Sequence, residues 1–197
     1  MPPRLLIVGG GPIGLEMAVA AVQSKKWDVT IAERGNELCA NVVAWEHVHL
    51  FSAWKLNISE AGRAALTSLG IAIPECKEIG EEAKADYPTG KEFLNQYLRP
   101  LGKYVSNSEH CKVMTETNVV SIGKSTLLLK GDMGKIRRKS ASFRTLVVRD
   151  GMEEIIISDA VVDASGTYGN GNWLGIGGIP ALGERTFASN IIRTIPN

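Results

Sequence analysis

The stretch RLLIVGGGPIGLE at residues 4–16 limits the possible folds of this chain more than any other feature. An apolar run breaks there into three glycines, a proline and a fourth glycine. Residues 4–8 show no alternation and read as a strand buried on both faces. Residues 12–25 carry helical periodicity, and DVTIAE at 28–33 reads as a second strand. Strand, tight turn, helix and strand make a βαβ unit, which commits the chain to a parallel sheet. Gly9, Gly11 and Gly14 satisfy G-x-G-x-x-G where the strand ends and the helix begins. In that setting Gly9 permits the tight turn, Gly11 lets a pyrophosphate reach the main chain, and Gly14 lets helix pack closely on strand. Unpaired N–H groups and the positive end of the helix dipole then meet the anion without a basic side chain. Glu33 closes the second strand about 20 residues beyond Gly14, where a carboxylate accepts hydrogen bonds from an adenosine ribose and repels a 2′-phosphate. The pattern points to a nucleotide site that disfavours NADP and leaves NAD and FAD both open.

The rest of the composition narrows the class. At 197 residues and 44% apolar content, the chain can bury a core as one domain. Its 22 basic residues balance 21 acidic ones, so nothing draws it to nucleic acid or an anionic membrane, and a small-molecule partner is expected. The longest apolar runs fall short of the roughly 20 residues of a spanning helix, and no leader precedes the first strand, so a cytoplasmic protein is expected. Cys39, Cys76 and Cys111 are odd in number and far apart, which suits a reducing compartment and inert packing roles. His47 and His49 would share one face of an extended segment. With no third ligand in view they read as pocket-lining or exposed residues, and no metal is expected.

Residues 59–69, SEAGRAALTSL, suit a helix capped by Ser59. Thr89-Gly90-Lys91-Glu92 has capping-box spacing before FLNQYLRPLGKYV, in which Pro100 is expected to bend or divide the helix. From Lys112 the period changes to two, and KVMTETNVVSI, STLLLK, FRTLVVR and EEIIISDAVVDA read as strands, the last ending in a buried segment at 160–164. KGDMGKIRRKSASFR at 130–144 gathers six basic residues around a flexible turn without interleaved aromatics, the pattern of a solvated hairpin tip. Ser140 there is a candidate phosphorylation site.

Three segments carry a resemblance: WEHVHLFSAWKLNIS (45–59), YPTGKEFLNQYLRPL (87–101) and VVDASGTYGNGNWLGIGGIPALGE (161–184). They resemble the FAD-binding part of the flavin-containing monooxygenase-like flavoproteins, in the wider group that includes thioredoxin and glutathione reductases. The most specific piece is Ala164-Ser165-Gly166-Thr167, similar to that family's second, A-T-G-like motif. The resemblance implies an α/β, Rossmann-like FAD-binding domain of glutathione-reductase type over residues 1–182, with a parallel sheet and an antiparallel meander at 125–158. Residues 183–197 would connect to an NADPH domain that the chain lacks. It further implies FAD held by Gly9, Gly11, Pro12, Ile13, Gly14, Glu33, Arg34, Trp45, Leu50, Ser52, Val119, Ala164, Ser165 and Gly166, the main chain at Val119 meeting adenine.

The chain departs from that family in three ways. Cys39-Ala40 stands where a glycine pair is expected, and near the family's active-site Asn only Ser52 and Asn57 are found, so no catalytic side chain is assigned. Only one G-x-G-x-x-G is present, so NADPH, implied for the family, has no evident site. The function implied is the FAD-binding portion of an NADPH-dependent oxidoreductase, monooxygenase-like and acting on an amine or thioether, completed by a missing domain or a second chain. Alternatives are an NAD-dependent dehydrogenase, disfavoured by the 164–167 motif, and a non-catalytic nucleotide-binding module.

Overall fold

The computed structural model describes residues 1–74, 87–125, 136–193 and 195–196. Strand β1 (Arg4–Val8), helix α1 (Pro12–Ser24) and strand β2 (Asp28–Ala32) build the expected βαβ unit, with β1 and β2 parallel from Arg4 opposite Asp28 to Val8 opposite Ala32. Two short helices, α2 (Ala40–Val43) and α3 (Trp54–Asn57), lead into α4 (Glu60–Ser68). Ser59 caps α4, its Oγ accepting the Gly62 N–H at 2.8 Å. Helix α5 (Gly90–Phe93) opens on a capping box in which Thr89 and Glu92 each accept the other's backbone N–H.

Pro100 does not divide the helix that follows. The chain passes through a π turn (Leu94–Leu98) directly into α6 (Arg99–Ser106). Proline lacks an N–H and its ring crowds the carbonyl one turn back. The wider turn, in which the Arg99 N–H donates to the Leu94 carbonyl, makes that room without ending the helix.

The period-two run after Lys112 is two strands in two sheets. β3 (Cys111–Met114) joins β2 in parallel, and β4 (Thr117–Lys124) starts an antiparallel sheet after Glu116, which is left-handed with φ 51°. The meander is therefore β4, β5 (Phe143–Arg149) and β6 (Met152–Ser158), spanning 117–158 and not 125–158. Alternation continues through both strands and carries no mark of the change of sheet; one left-handed residue makes it. The STLLLK run lies, apart from Ser125, outside the described residues. The basic stretch, expected as a solvated hairpin tip around a flexible turn, contains helix α7 (Ile136–Ser140). Strand β7 (Ala160–Asp163) returns beside β1 and completes a four-stranded parallel sheet of order β3-β2-β1-β7.

Both faces of β1 are covered, which explains its unbroken apolar sequence. Leu5 and Ile7 face α1, α4 and α6 and pack with Leu15, Val19, Leu66 and Leu101. Leu6 and Val8, with Ala32, face the meander and meet Val119 and Ile156. Each such side chain contributes about 1.5–3 kcal/mol when fully buried. No helix among the described residues is long and apolar enough to cross a membrane. Beyond β7, the segment around 172–193 is organised by Glu184. Its buried carboxylate accepts the Leu174 and Ala181 N–H groups and pairs with Arg193. Burial alone would raise this carboxyl; the Ala181 N–H, the Arg193 guanidinium and the Leu174 N–H outweigh it and hold it below the usual range.

A polar clasp joins α1, α4 and the π turn. The hydroxyl of Tyr97, fully buried, donates to Glu16, Ser59 Oγ donates to the same carboxylate at 2.5 Å, and the Ser59 N–H donates to the Tyr97 oxygen at 3.1 Å. Burial first, and the bond to Glu16 second, push the phenol up to about 12 from an ordinary 10.0. Tyr97→Phe should lower the unfolding free energy by about 1–3 kcal/mol in urea at neutral pH, because Glu16 loses a donor. The phenol is protonated in both states below pH 10. Between pH 10 and about 12 the unfolded chain ionises while the native state holds its proton, so native stability falls with rising pH. That component of the alkaline loss should be missing in Tyr97→Phe; identical alkaline profiles would remove Tyr97 as its source.

Candidate nucleotide-binding site

The end of β1 is built from backbone. Gly9 has φ 93°, and its N–H donates to the Ala32 carbonyl at 2.8 Å, while the Ala164 N–H donates to the Val8 carbonyl at 2.8 Å. A Cβ on Gly9 would lie 2.6 Å from the Ala164 oxygen and 2.8 Å from Ser165 Cα. A Cβ on Gly14 would overlap the Gly9 carbonyl oxygen, whereas one on Gly11 meets nothing within 4 Å. Gly14 is thus a packing residue beneath the turn, and Gly11 fronts open space. Gly11 is the N-cap of α1 without a side-chain cap, Pro12 follows it, and no acidic residue stands in the first turn. The N-terminal N–H groups and the positive end of the dipole therefore face that space uncancelled.

A cavity of about 400 Å³ opens in front of this turn. It is lined by Gly9, Gly11, Pro12 and Ile13 from the turn, by Glu33 and Arg34 after β2, and by the stretch Cys39 to Val42 with Trp45. Thr117, Asn118 and Val119 at the start of β4, and residues 164–170 after β7, close the other side. These groups come from four separate parts of the chain, brought together because the C-terminal ends of β1, β2 and β7 all point to this side.

Leu50 and Ser52 are not among the lining residues. Leu50 packs against the main core, and its N–H donates to the Pro88 carbonyl at 2.8 Å. Ser52 Oγ donates to Asn57 Oδ1 at 2.8 Å, and Asn57 Nδ2 donates back to the Ser52 and Ala53 carbonyls, so this pair fixes the start of α3. The chain leaves the cavity wall because it turns after α2, before His49 bridges to Thr89. For the same reason His47 and His49 do not lie along one extended face. Both are exposed outside the cavity lining, and His49 Nδ1 sits 3.1 Å from the Tyr87 carbonyl. No group of three or more His, Cys, Asp or Glu among the described residues could hold a metal.

Asn41, Val42, Thr117, Asn118, Tyr168, Gly169 and Asn170 also line the cavity, though none of them is among the cofactor-binding residues expected from the sequence. Thr117 and Asn118 adjoin Val119. The 168–170 run lies within the resembling segment 161–184, and it comes so near Arg34 that a Cβ on Gly169 would lie 3.2 Å from the guanidinium.

The ionisable groups of the site are already organised. Glu33 Oε2 accepts the Gly10 N–H and Oε1 the Gly35 N–H, both at 2.6 Å, leaving each oxygen a second lone pair for a ligand hydroxyl. Asp163 accepts the Ser165 hydroxyl at 2.6 Å and its N–H at 3.0 Å, which hold the carboxyl below its usual range and shape the turn beside Gly9. Trp45 is held against Gly90, where a Cβ would come within 2.7 Å of the indole. Burial, then Glu33 and Glu37, push the Cys39 thiol up to about 12, and burial pushes Cys111 up to about 11, so both stay protonated at neutral pH. Cys76 lies outside the described residues.

The glycines should separate in mutagenesis. Gly11→Val is expected to abolish nucleotide binding while changing stability by no more than about 1 kcal/mol, the scale of a helix-cap change. Gly14→Ala should lose at least about 1–3 kcal/mol of stability through overpacking, and binding with it. Thermal denaturation beside ligand titration reads both. Binding retained in Gly11→Val would place the ligand elsewhere.

Residues 4–44 match the model of the pyridine nucleotide-disulphide oxidoreductase family. No curated protein sequence matches the chain. Several solved structures are similar to it. The flavin-dependent monooxygenase PieE, solved with FAD and substrate, aligns at 16% identity and TM-score 0.54 over 84% of this chain and 30% of its own. CabE, an aromatic hydroxylase from angucycline biosynthesis, aligns at 14% identity and TM-score 0.53 over 84% and 31%. The bacillithiol disulfide reductase Bdr from Staphylococcus aureus aligns at 21% identity and TM-score 0.52 over 90% and 47%. The chain thus spans less than half the length of these structures, and identities this low bear on the fold alone. With a parallel sheet of βαβ type, an antiparallel sheet on one face and the glycine turn at its end, the chain has the Rossmann-type fold of the FAD-binding domains of flavin-dependent oxidoreductases.

Proposed function

We propose that this chain binds FAD and serves as the flavin-binding part of an NADPH-dependent oxidoreductase of monooxygenase type, acting on a small molecule. The observation that carries this reading is the single cavity running from the start of α1 to Glu33 and Val119, and also to Trp45 and residues 164–166. Its parts fit the parts of a dinucleotide. Open space at Gly11 and the bare helix start suit a pyrophosphate. The spare lone pairs of Glu33 suit a ribose, and the main chain around Val119 suits adenine. FMN has neither a pyrophosphate nor an adenosine and would leave half of these groups unused.

When bound, FAD supplies the two-electron oxidation and reduction chemistry. The chain's own residues bind, orient and shield it. The α1 start offsets phosphate charge, Glu33 accepts ribose hydroxyls, and the held Trp45 gives the opposite end an apolar wall. A disulfide-reductase role is less well supported, because Cys39, Cys76 and Cys111 are far apart in sequence and the two described thiols are protonated. NADPH is proposed to bind outside this cavity, since Glu33 opposes a 2′-phosphate and the 197 residues hold no second G-x-G-x-x-G.

Titration of purified protein should give tighter binding of FAD than of FMN or NAD, and a visible flavin spectrum after removal of free ligand. Protein that cannot be loaded with FAD would overturn the reading. Mixed anaerobically with NADPH, the FAD-loaded chain alone is expected to keep its flavin colour over seconds. Rapid, saturable bleaching would put an NADPH site within these residues.

A further inference from the structure

The Gly10 peptide is held from both ends by residues that follow β2. Its N–H donates to Glu33 Oε2 at 2.6 Å, and its carbonyl accepts both the Cys39 N–H at 2.9 Å and the Cys39 thiol at 3.4 Å. Leu38 lies over the same residue, with Cδ2 2.5 Å from where a Gly10 Cβ would stand. Cys39 reaches this contact from a left-handed backbone of φ 61°, which side chains other than glycine and asparagine seldom adopt. It is also 2% exposed. A glycine at position 39 would relieve the backbone and keep the N–H contact. What it would lack is the thiol.

We propose that Cys39 is a positioning residue of the phosphate-binding turn: its thiol, beside its N–H, fixes the Gly10 carbonyl and so aims the α1 start into the cavity before ligand arrives. The thiol acts as a protonated donor, in keeping with the buried, electronegative surroundings that suppress its ionisation. Its thiol is committed to the Gly10 carbonyl, and it acts through Gly10 on Gly11 and Ile13. The ligand named in the test rests on the FAD reading, while the state of the turn in the ligand-free protein does not.

Three variants separate positioning from packing. Cys39→Ala removes the donor and keeps the strained backbone, Cys39→Gly removes the donor and relaxes the backbone, and Cys39→Ser restores a donor. Amide hydrogen exchange of residues 9–14 in ligand-free protein should accelerate in Cys39→Gly and Cys39→Ala and stay near wild type in Cys39→Ser. Affinity for FAD, and for ADP as a probe of the adenosine-pyrophosphate part, should fall about three- to tenfold in Cys39→Gly, the scale of one lost hydrogen bond. It should return to within about twofold of wild type in Cys39→Ser. Stability in denaturant should be equal or higher in Cys39→Gly, so that binding and stability move apart. Unchanged exchange in Cys39→Gly and Cys39→Ala, or a Cys39→Ser variant as impaired as Cys39→Ala, overturns the proposal. If wild-type protein binds neither FAD nor ADP, the FAD reading fails, and the exchange comparison still decides the role of Cys39.

Discussion

The carbonyl of Gly9 lies so close to Gly14 that no side chain fits between them, and the arrangement around it depends on that confinement. The Cα of Gly14 packs against it, and the backbone of Ala164 and Ser165 passes on the other side of the same residue. With no side chains in the way, α1 starts in contact with the end of β1, and β7 can lie directly against β1. The first turn of the helix then faces the crevice where the strand ends converge. An anion there would be met by main-chain donors, whose direction is set by the backbone and cannot be altered by a rotamer.

The rest of the fold keeps that helix in place. Leu15, Ala18 and Val19 bury its inner face against Leu5 and Ile7, while the clasp of Glu16, Ser59 and Tyr97 ties its flank to α4 and the π turn. The widened helical turn before Pro100 contributes to this. It lies at Leu94–Leu98, within which Tyr97 is buried beneath α1. On the other face of the sheet, the meander brings Thr117, Asn118 and Val119 to the cavity rim. Helices on one face and strands on the other thus hold opposite walls of the same site, giving a binding surface supported from behind before a ligand enters.

Inside the site, charge is used sparingly. Glu33 spends one lone pair of each oxygen on the turn itself, through Gly10 and Gly35, and retains the other for a ligand. Asp163 turns inward on Ser165 and shapes the chain. Arg34 lies beside Gly169, so the loop that ends β2 and the loop that follows β7 meet at one rim. This leaves the cavity mostly neutral, suited to a ligand whose charge sits at one point near the helix start.

Local sequence determined the βαβ unit, the helix caps at Ser59 and Thr89, and the placement of the glycine turn between β1 and α1. Each depends on residues within a few positions of one another, so spacing alone carries the information. The change of sheet at Glu116 was hidden, because alternation looks the same in a parallel edge strand and in a meander. Leu50 and Ser52 belong to a segment read as pocket wall, yet a turn after α2 moves it away, and that turn follows from the bridge between His49 and Thr89, 40 residues apart. Tyr168, Gly169 and Asn170 reached the site only through the pairing of β7 with β1. Cys39, read as inert packing, became a partner of Gly10 because the loop after β2 folds back over the turn. In each of these cases the deciding contact joins residues distant in the chain, and such contacts exist only once the sheet has formed and its two faces are covered.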